Sequence, residues 1–191
     1  MAGLGDDAWN PSVSIAIDEA GMLLRNSIAR YYSGKEQILQ EQIRSFASSG
    51  VPYDTCMVDD FLRHPGHSGR YKVIFFADMH NKDAERVKLI DRLERNGTKC
   101  VFLSSERTIS PMEFAAIVRD AGGYVPAKYG LQVNMNGSFV SVHALRGGRF
   151  DFKLPRRCTV VNMKTGKVEV READILPLDL VAGETCWFGL D

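Results

Sequence analysis

The chain has 191 residues, enough for one sizeable domain or for one domain with a small appendage. Apolar residues make up 45% of the sequence and charged residues 25%, and the formal net charge is zero. A neutral chain is not expected to be drawn electrostatically to nucleic acid or to an anionic membrane. No apolar run approaches the ~20 residues of a membrane-spanning helix. We therefore expect neither nucleic acid nor membrane as a partner.

The N-terminus and the cysteines favour a cytoplasmic protein. Residues 1–12 have neither the basic nor the apolar segment of a signal peptide, and we interpret them as a leader. The four cysteines contain no Cys-x-x-Cys pair, and three of them lie inside apolar, strand-like runs: Cys56, Cys100, Cys158 and Cys186. This pattern predicts reduced, buried thiols and disfavours zinc, so no metal and no cofactor are expected.

The first third of the chain predicts two strands joined by a helix. Residues 13–17 form a short apolar strand that ends at Asp18-Glu19, and residues 22–32 are ambiguous. Ser33 and Glu36 fit a capping box, and Gly50 and Pro52 end the helix that follows. We expect the apolar face of this helix to carry four residues: Ile38, Leu39, Ile43 and Phe46. Residues 53–58 predict the second strand, ending in Asp59-Asp60, and residues 63–70 predict a surface loop.

Residues 71–105 predict a strand, a helix and a second strand. The runs 73–76 and 100–103 are continuously apolar, which is typical of parallel strands covered on both faces. Between them, Asn81 is expected to cap a helix that ends at Asn96-Gly97. Its predicted buried stripe has four residues: Val87, Leu89, Ile90 and Leu93. The segment is therefore a βαβ unit.

The pattern changes near residue 123. Ser110-Pro111, with Glu113 three residues after the cap, begins a further helix. That helix is expected to bury Phe114, Ile117 and Val118 and to end at Gly122-Gly123. Residues 124–191 instead predict short antiparallel strands separated by turn signals: Asn136-Gly137, Gly147-Gly148, Thr165-Gly166 and Ala182-Gly183. In one of them, Phe150 and Phe152 alternate with Asp151 and Lys153, which indicates one buried and one wet face.

The predicted fold is α/β, with a flavodoxin- or amidotransferase-like open, mainly parallel sheet flanked by helices, followed by a small antiparallel β module. We place the α/β domain at residues 13–123 and the β module at residues 124–191. About seventy residues are too few to bury much surface alone, so the module is expected to pack on the α/β domain.

Polar side chains at the predicted strand ends define a candidate ligand crevice, because ligands in open α/β sheets bind beyond the carboxyl ends of the strands. Five residues form this candidate set: Asp18, Glu19, Asp78, His80 and Ser104. With Asp59-Asp60, the acidic ends also fit a magnesium-dependent receiver or phosphatase. That interpretation requires an activating lysine at a later strand end, and none follows Leu103.

A second alternative is a small hydrolase or amidotransferase-like enzyme with Ser104 or Ser105 as nucleophile and His143 as base. The segment around the two serines lacks the glycines of a nucleophile elbow. His143 lies in a predicted strand, where a structural role is the commoner one. His64 and His67 flank Pro65-Gly66, and two ligands with Pro-Gly between them are not expected on one helix face. Four aromatic residues are candidates for stacking on sugars, although core or interface packing is commoner: Tyr31, Tyr32, Trp187 and Phe188.

Several segments are similar to one family. The stretches 13–20, 50–55, 59–62, 71–76 and 95–98 resemble the trimerisation domain of family 42 β-galactosidases. The stretches 137–144, 154–160, 164–166 and 182–188 resemble the small β domain that closes such glycosidases. The resemblance implies a class I glutamine-amidotransferase-like fold without the amidotransferase cysteine, which agrees with the missing elbow around Ser104.

The resemblance also implies a role without catalysis. In that family the glycosidic carboxylates lie on a separate barrel domain, so no acid/base or nucleophile role carries over to this chain. We therefore expect a non-catalytic accessory and oligomerisation module of a glycoside hydrolase. Its partners would be further copies of itself or a catalytic barrel, with carbohydrate as a candidate ligand. The chain is either the C-terminal piece of a larger glycosidase or a stand-alone relative.

Overall fold

The structure is a computed structural model, and it describes residues 10–21, 35–77, 79, 83–103 and 107–191; the side chains of residues 35–40 are not described. The strands and helices are numbered in chain order within those residues. The α/β unit contains these elements: β1 Val13–Ile17, α1 Lys35–Ala47, β2 Asp54–Met57, α2 Val58–Arg63, a 3₁₀ helix Pro65–Ser68, β3 Val73–Ala77, α3 Ala84–Arg95, β4 Lys99–Phe102 and α4 Pro111–Asp120. The β module contains β5 Leu131–Asn136, β6 Phe139–Ala144, β7 Gly148–Asn162, β8 Val168–Leu180 and β9 Thr185–Leu190.

The first sheet has four parallel strands in the order β2-β1-β3-β4. This order corresponds to the first four strands of a flavodoxin-like doubly wound sheet. Alternate residues of β3 pack into different cores, because successive side chains of a strand point to opposite faces. Val73 and Phe75 join α1 and α4 on one side, and Ile74 and Phe76 join α2 and α3 on the other. The prediction of parallel strands covered on both faces is confirmed for β3, whereas β4 is an edge strand whose Phe102 is 38% exposed.

The second sheet has five antiparallel strands in the order β5-β6-β9-β7-β8. One face of this sheet carries its own apolar core, which includes Phe150, Phe152 and Phe188. Asp151 and Lys153 are exposed between the two buried phenylalanines, as predicted. Strands β7 and β8 are 15 and 13 residues long, so the prediction of short segments is wrong for this hairpin. Bulged pairing beyond Lys153 lets the two long strands stay paired while they bend.

The two units meet around Gly50. Its backbone N–H donates to the carbonyl of Leu131 at 2.9 Å, and the N–H of Gly130 donates to the carbonyl of Ser48 at 2.6 Å. Gly50 has a φ of 76°, and a Cβ at this position would lie 2.5 Å from the carbonyl oxygen of Lys128. A glycine is therefore required both by the backbone conformation and by the close approach of the β module.

The structure corrects several expectations in the α/β unit. Asp59 and Asp60 do not end strand β2 directly but lie in the first turn of α2, which begins at the next residue and where acids suit the positive end of the helix dipole. Helix α3 is capped by Asp83, whose side chain accepts from the N–H of Arg86, rather than by Asn81, which lies outside the described residues. Ile43 and Val87 are 53% and 41% exposed, so they are not part of the buried stripes.

Other local predictions are confirmed. Ser110 caps α4 and Pro111 opens it, Asn96-Gly97 ends α3, and Leu89, Ile90 and Leu93 are buried. The four cysteines, all within the described residues, form no disulfide; only Cys158 is buried, and Cys56, Cys100 and Cys186 are half-buried. Within the predicted loop 63–70, residues 65–68 form the 3₁₀ helix. The ambiguous segment 22–32 and the cap at Ser33 lie outside the described residues. No described helix combines the length and the apolarity needed to cross a bilayer.

Candidate functional site

The carboxyl ends of β1 and β3 mark the place where doubly wound sheets of this strand order bind ligands. Asp18 directly follows β1, and its backbone N–H donates to the carbonyl of Ala77 at the end of β3 at 3.0 Å. The residue is 1% exposed. A buried carboxylate at this position therefore needs a partner within the fold.

Arg86, in the first turn of α3, supplies that partner. Its Nη2 lies 2.7 Å from Oδ1 of Asp18, and its Nε lies 3.1 Å from Oδ2. The guanidinium thus binds both carboxylate oxygens, which is the strongest geometry for such a pair. These hydrogen bonds raise the pKa of Arg86 above its usual value, so the side chain is a permanent cation at the strand ends.

Two further carboxylates surround the same guanidinium. Nη1 of Arg86 lies 2.7 Å from Oδ2 of Asp83, and Nη2 lies 3.5 Å from Oδ1 of Asp59. The hydrogen bond from the backbone N–H of Arg86 lowers the pKa of Asp83. The three acids come from β1, α2 and the cap of α3. The cluster therefore ties three elements together around one cation, which lies beside the carboxylate that a metal ion would use.

The predicted site residues are distributed unevenly. Asp18 lies in the cluster around Arg86, and Glu19 beside it is exposed. Four predicted residues lie outside the described part of the chain: Asp78, His80, Ser104 and Ser105. His143 lies in the other sheet, on β6, and its Nδ1 is 2.7 Å from Oγ1 of Thr185. The described residues therefore place Asp18 and His143 in different units.

A groove opens beside α2. It has a volume of about 570 Å³ and is lined by Cys56, Asp60, Phe61, His64, Gly66, His67, Arg70 and Tyr71. The rings of His64 and His67 lie side by side, with centroids 5.0 Å apart. His64 lies between α2 and the 3₁₀ helix and only His67 belongs to that helix, so the two do not share a helix face although their rings are neighbours. Among the described residues, no three His, Cys, Asp or Glu side chains converge on a metal-binding position.

The inner wall of the groove is a network of hydrogen bonds. Arg70 donates to Asp54 at 2.6 Å, and the hydroxyl of Tyr71 donates to the same oxygen at 2.9 Å. Burial raises the pKa of Tyr71, so its hydroxyl stays protonated and remains a donor. These groups are bonded to one another and hold strand β2 to the start of β3, which is a structural role.

Arg86 is the residue that the sequence analysis missed. Part of its signal was present, because an arginine three residues after an acidic cap can form an ion pair with that cap. The acidic strand ends drew attention to metal binding, and nothing in the local spacing indicated the pairing of Arg86 with Asp18.

Comparisons with known proteins give similarity at the level of structure. No protein-family model matches the sequence, and no curated protein sequence matches it. The solved structure of Gan42B, a GH42 β-galactosidase, matches with a TM-score of 0.61 and 11% identity over 93% of this chain and 40% of that enzyme. A β-galactosidase from Bacillus circulans sp. alkalophilus matches with a TM-score of 0.61 and 9% identity over 96% of this chain and 42% of that enzyme. The chain spans about two fifths of these enzymes, and across both of its sheets it shares the fold of that portion of a GH42 β-galactosidase chain.

Proposed function

We propose that this chain is a non-catalytic accessory and oligomerisation module of a β-galactosidase-like glycoside hydrolase. The observation that carries the proposal is the extent of the structural match. It covers 93–96% of this chain, including both sheets, but only 40–42% of each enzyme. The two units thus occur together inside a glycosidase, beside a larger remainder that this chain does not match.

The strand-end crevice supports a role without catalysis. A carboxylate that serves as general base, nucleophile or magnesium ligand needs lone pairs that point to the substrate or the metal. Both carboxylate oxygens of Asp18 accept hydrogen bonds from Arg86 instead. A magnesium ion would have to displace a buried guanidinium from its partner. This arrangement disfavours the receiver or phosphatase alternative and removes Asp18 from the set available to a hydrolase.

Exposed apolar side chains support a role in assembly. Five large ones lie on the described surface of the α/β unit: Ile43 on α1, Met57 on β2, Val87 on α3, Phe102 on β4 and Met112 on α4. Phe and Met are enriched where protein surfaces meet, and a stable interface buries about 1,200–2,000 Å². A second copy of the chain, or a catalytic barrel, would cover part of this surface.

The proposal is tested by mass and by activity on the same sample. Light scattering after size exclusion should give a mass that is a multiple of 21.3 kDa. Nitrophenyl galactosides, glucosides and acyl esters should not be hydrolysed. The double variant Val87→Glu/Met112→Glu should lower the mass to that of the monomer, because it places charges on the α/β surface.

A matched double variant, Ile175→Glu/Val181→Glu, changes exposed apolar residues of the β module and should leave the mass unchanged. A chain that is monomeric at all concentrations, or that hydrolyses any of these substrates with Arg86 intact, contradicts the proposal.

A further inference from the structure

The outward face of β5, β6 and β9 carries no Asp, Glu, Lys or Arg. Side chains of these strands alternate between the core and the surface, and the outward set consists of every second residue from Gln132 to Asn136, from Phe139 to His143 and from Thr185 to Gly189. These are amides, hydroxyls, one imidazole, two aromatic rings and a glycine. We call this set the uncharged face. Charged residues make up 25% of the chain, so nine neighbouring outward positions without a charged residue are unusual.

The rest of the same sheet shows what an ordinary wet face looks like. On β7 the outward positions Arg149, Asp151 and Lys153 are exposed, and Arg149 pairs with Asp179 of β8 across 3.3 Å. Charged residues of alternating sign keep such a face solvated, and the pairs between them contribute little energy. The lack of charge on the uncharged face is therefore specific to three strands, and it complements a ligand without charge.

Trp187 lies at the centre of the uncharged face. Strand register places it directly opposite Ser141, and Ser141 directly opposite Asn134. The indole is 40% exposed although it lies on a central strand of the sheet. Its backbone carbonyl accepts from the N–H of Met163 at 2.8 Å, so the strand is held on both sides. The ring therefore forms a fixed apolar surface with a hydroxyl and an amide beside it.

The neighbouring rows continue the same chemistry. Phe139 is also 40% exposed and lies opposite Gly189, where β9 has no side chain and the thioether of Met163 covers the backbone instead. On the other side, His143 is opposite Thr185 and is held by the 2.7 Å contact between Nδ1 and Oγ1. Diagonal neighbours on a sheet lie about 7–8 Å apart, which leaves the two aromatic rings close enough to contact one extended ligand.

We propose that the uncharged face is a carbohydrate-binding platform, on which Trp187 stacks against the C–H face of a neutral pyranose while Asn134 and Ser141 bond its hydroxyls. Phe139 contacts the next sugar unit along the oligosaccharide. A sugar offers an apolar ring face and hydroxyls that both donate and accept, which matches an indole bordered by amides and hydroxyls. A protein interface is also poor in charge, but it would desolvate these amides and hydroxyls and would need a separate partner for each.

The test uses soluble β-1,4-galactan as the first probe, because the similar structures are β-galactosidases, with neutral mannan and β-glucan beside it. In affinity electrophoresis, at least one of these polysaccharides should retard the whole chain, and acidic polygalacturonate should not. Trp187→Ala should weaken binding by about tenfold or more, as expected for a central aromatic contact. Asn134→Ala should weaken it severalfold.

Two controls make the outcome decisive. Trp187→Tyr should keep part of the affinity, because it keeps an aromatic ring. Val181→Ala removes an apolar side chain that is 71% exposed but lies outside the uncharged face, and it should not change binding. The proposal is overturned if none of the neutral polysaccharides retards the chain. It is also overturned if Trp187→Ala leaves retardation intact, or if that variant instead lowers the molar mass, which would make the face a protein interface. The proposal does not depend on the oligomerisation role, since a monomer that binds galactan would refute only that role.

Discussion

The two units of this chain handle their polar groups in opposite ways. In the α/β unit both faces of the sheet are buried, and the conspicuous polar residues are bonded internally: Asp18 to Arg86, and Gln42 to the backbone of Ile109. In the β module only one face is buried, and the other presents amides and hydroxyls to the surface. Asp18, the described acid that most resembles a catalytic residue, is therefore bonded within the fold, and the exposed amides and hydroxyls lie in the other unit.

This difference follows from the architecture. A parallel sheet with helices on both sides exposes only its strand ends, and a buried charge at such an end must find a partner in the fold. An antiparallel sheet that packs on one side leaves a whole face available. The difference can be tested by substitutions at the strand ends, at the junction between the units and inside the α/β unit.

The largest effect is expected for Arg86→Met. It leaves the Asp18 carboxylate buried without its partner, so the free energy of unfolding should fall by about 3–5 kcal/mol in urea denaturation. Lys88→Met, on the exposed side of the same helix, should change it by less than about 0.5 kcal/mol. Asp18→Leu/Arg86→Met should be more stable than Arg86→Met alone, because no charge remains buried. A loss below about 1 kcal/mol for Arg86→Met would show that Asp18 is not held by this pair.

The junction between the units is tested by Gly50→Ala. Its left-handed backbone costs about 1–2 kcal/mol for a residue with a Cβ, and the clash with the carbonyls of Ala127 and Lys128 adds about 1–3 kcal/mol. We expect a total loss of about 2–5 kcal/mol in the free energy of unfolding. Gly97→Ala is the matched control, because Gly97 has a similar φ of 82° but no atom within 4 Å of the added Cβ. Equal losses for the two variants would mean that the two units do not meet closely at Gly50.

Gln42→Leu tests the internal bonding of the α/β unit. The Gln42 amide accepts from the N–H of Ile109 at 2.7 Å and donates to its carbonyl at 3.1 Å. Leucine would leave that buried N–H without an acceptor, which should lower the free energy of unfolding by about 1–3 kcal/mol. Thermal denaturation should show no comparable change for Arg44→Leu, which is exposed on the same helix. If Gln42→Leu leaves the free energy of unfolding unchanged, the segment before α4 is free to move away from α1.

The smallest expected effect is a gain. Ser14 on β1 is fully buried, and its hydroxyl has no hydrogen-bond partner among the described residues. Ser14→Ala should therefore raise the free energy of unfolding by about 0.5–1 kcal/mol. Ser12→Ala is the contrast, because the Ser12 hydroxyl accepts from the N–H of Tyr124 at 2.9 Å and its loss should destabilise. If Ser14→Ala is destabilising instead, the hydroxyl has a partner in the folded protein.

The sequence alone determined those features that depend on neighbouring residues. Ser110-Pro111 begins a helix and Asn96-Gly97 ends one because caps and left-handed residues act within a single turn. The unbroken apolar run of β3 predicted burial on both faces, and the alternation around Phe150 and Phe152 predicted burial on one. The change from continuous to alternating apolar patterns along the chain therefore predicted an α/β part followed by a β part.

Only the tertiary structure decided which distant residues meet. Asp18 and Arg86 are 68 positions apart, and their pairing depends on the packing of α3 beside the end of β1. Val87 belongs to an apolar stripe by its spacing, yet it is exposed. Periodicity shows which side of a helix faces the core, but it does not show how much of that side the neighbouring elements cover. Likewise, Trp187 lies beside Ser141 and Asn134 only because of the strand register. A slip of one position would turn every outward side chain of a strand to the opposite face. Local chemistry specified the elements, and long-range packing specified which polar atoms remained open to a ligand.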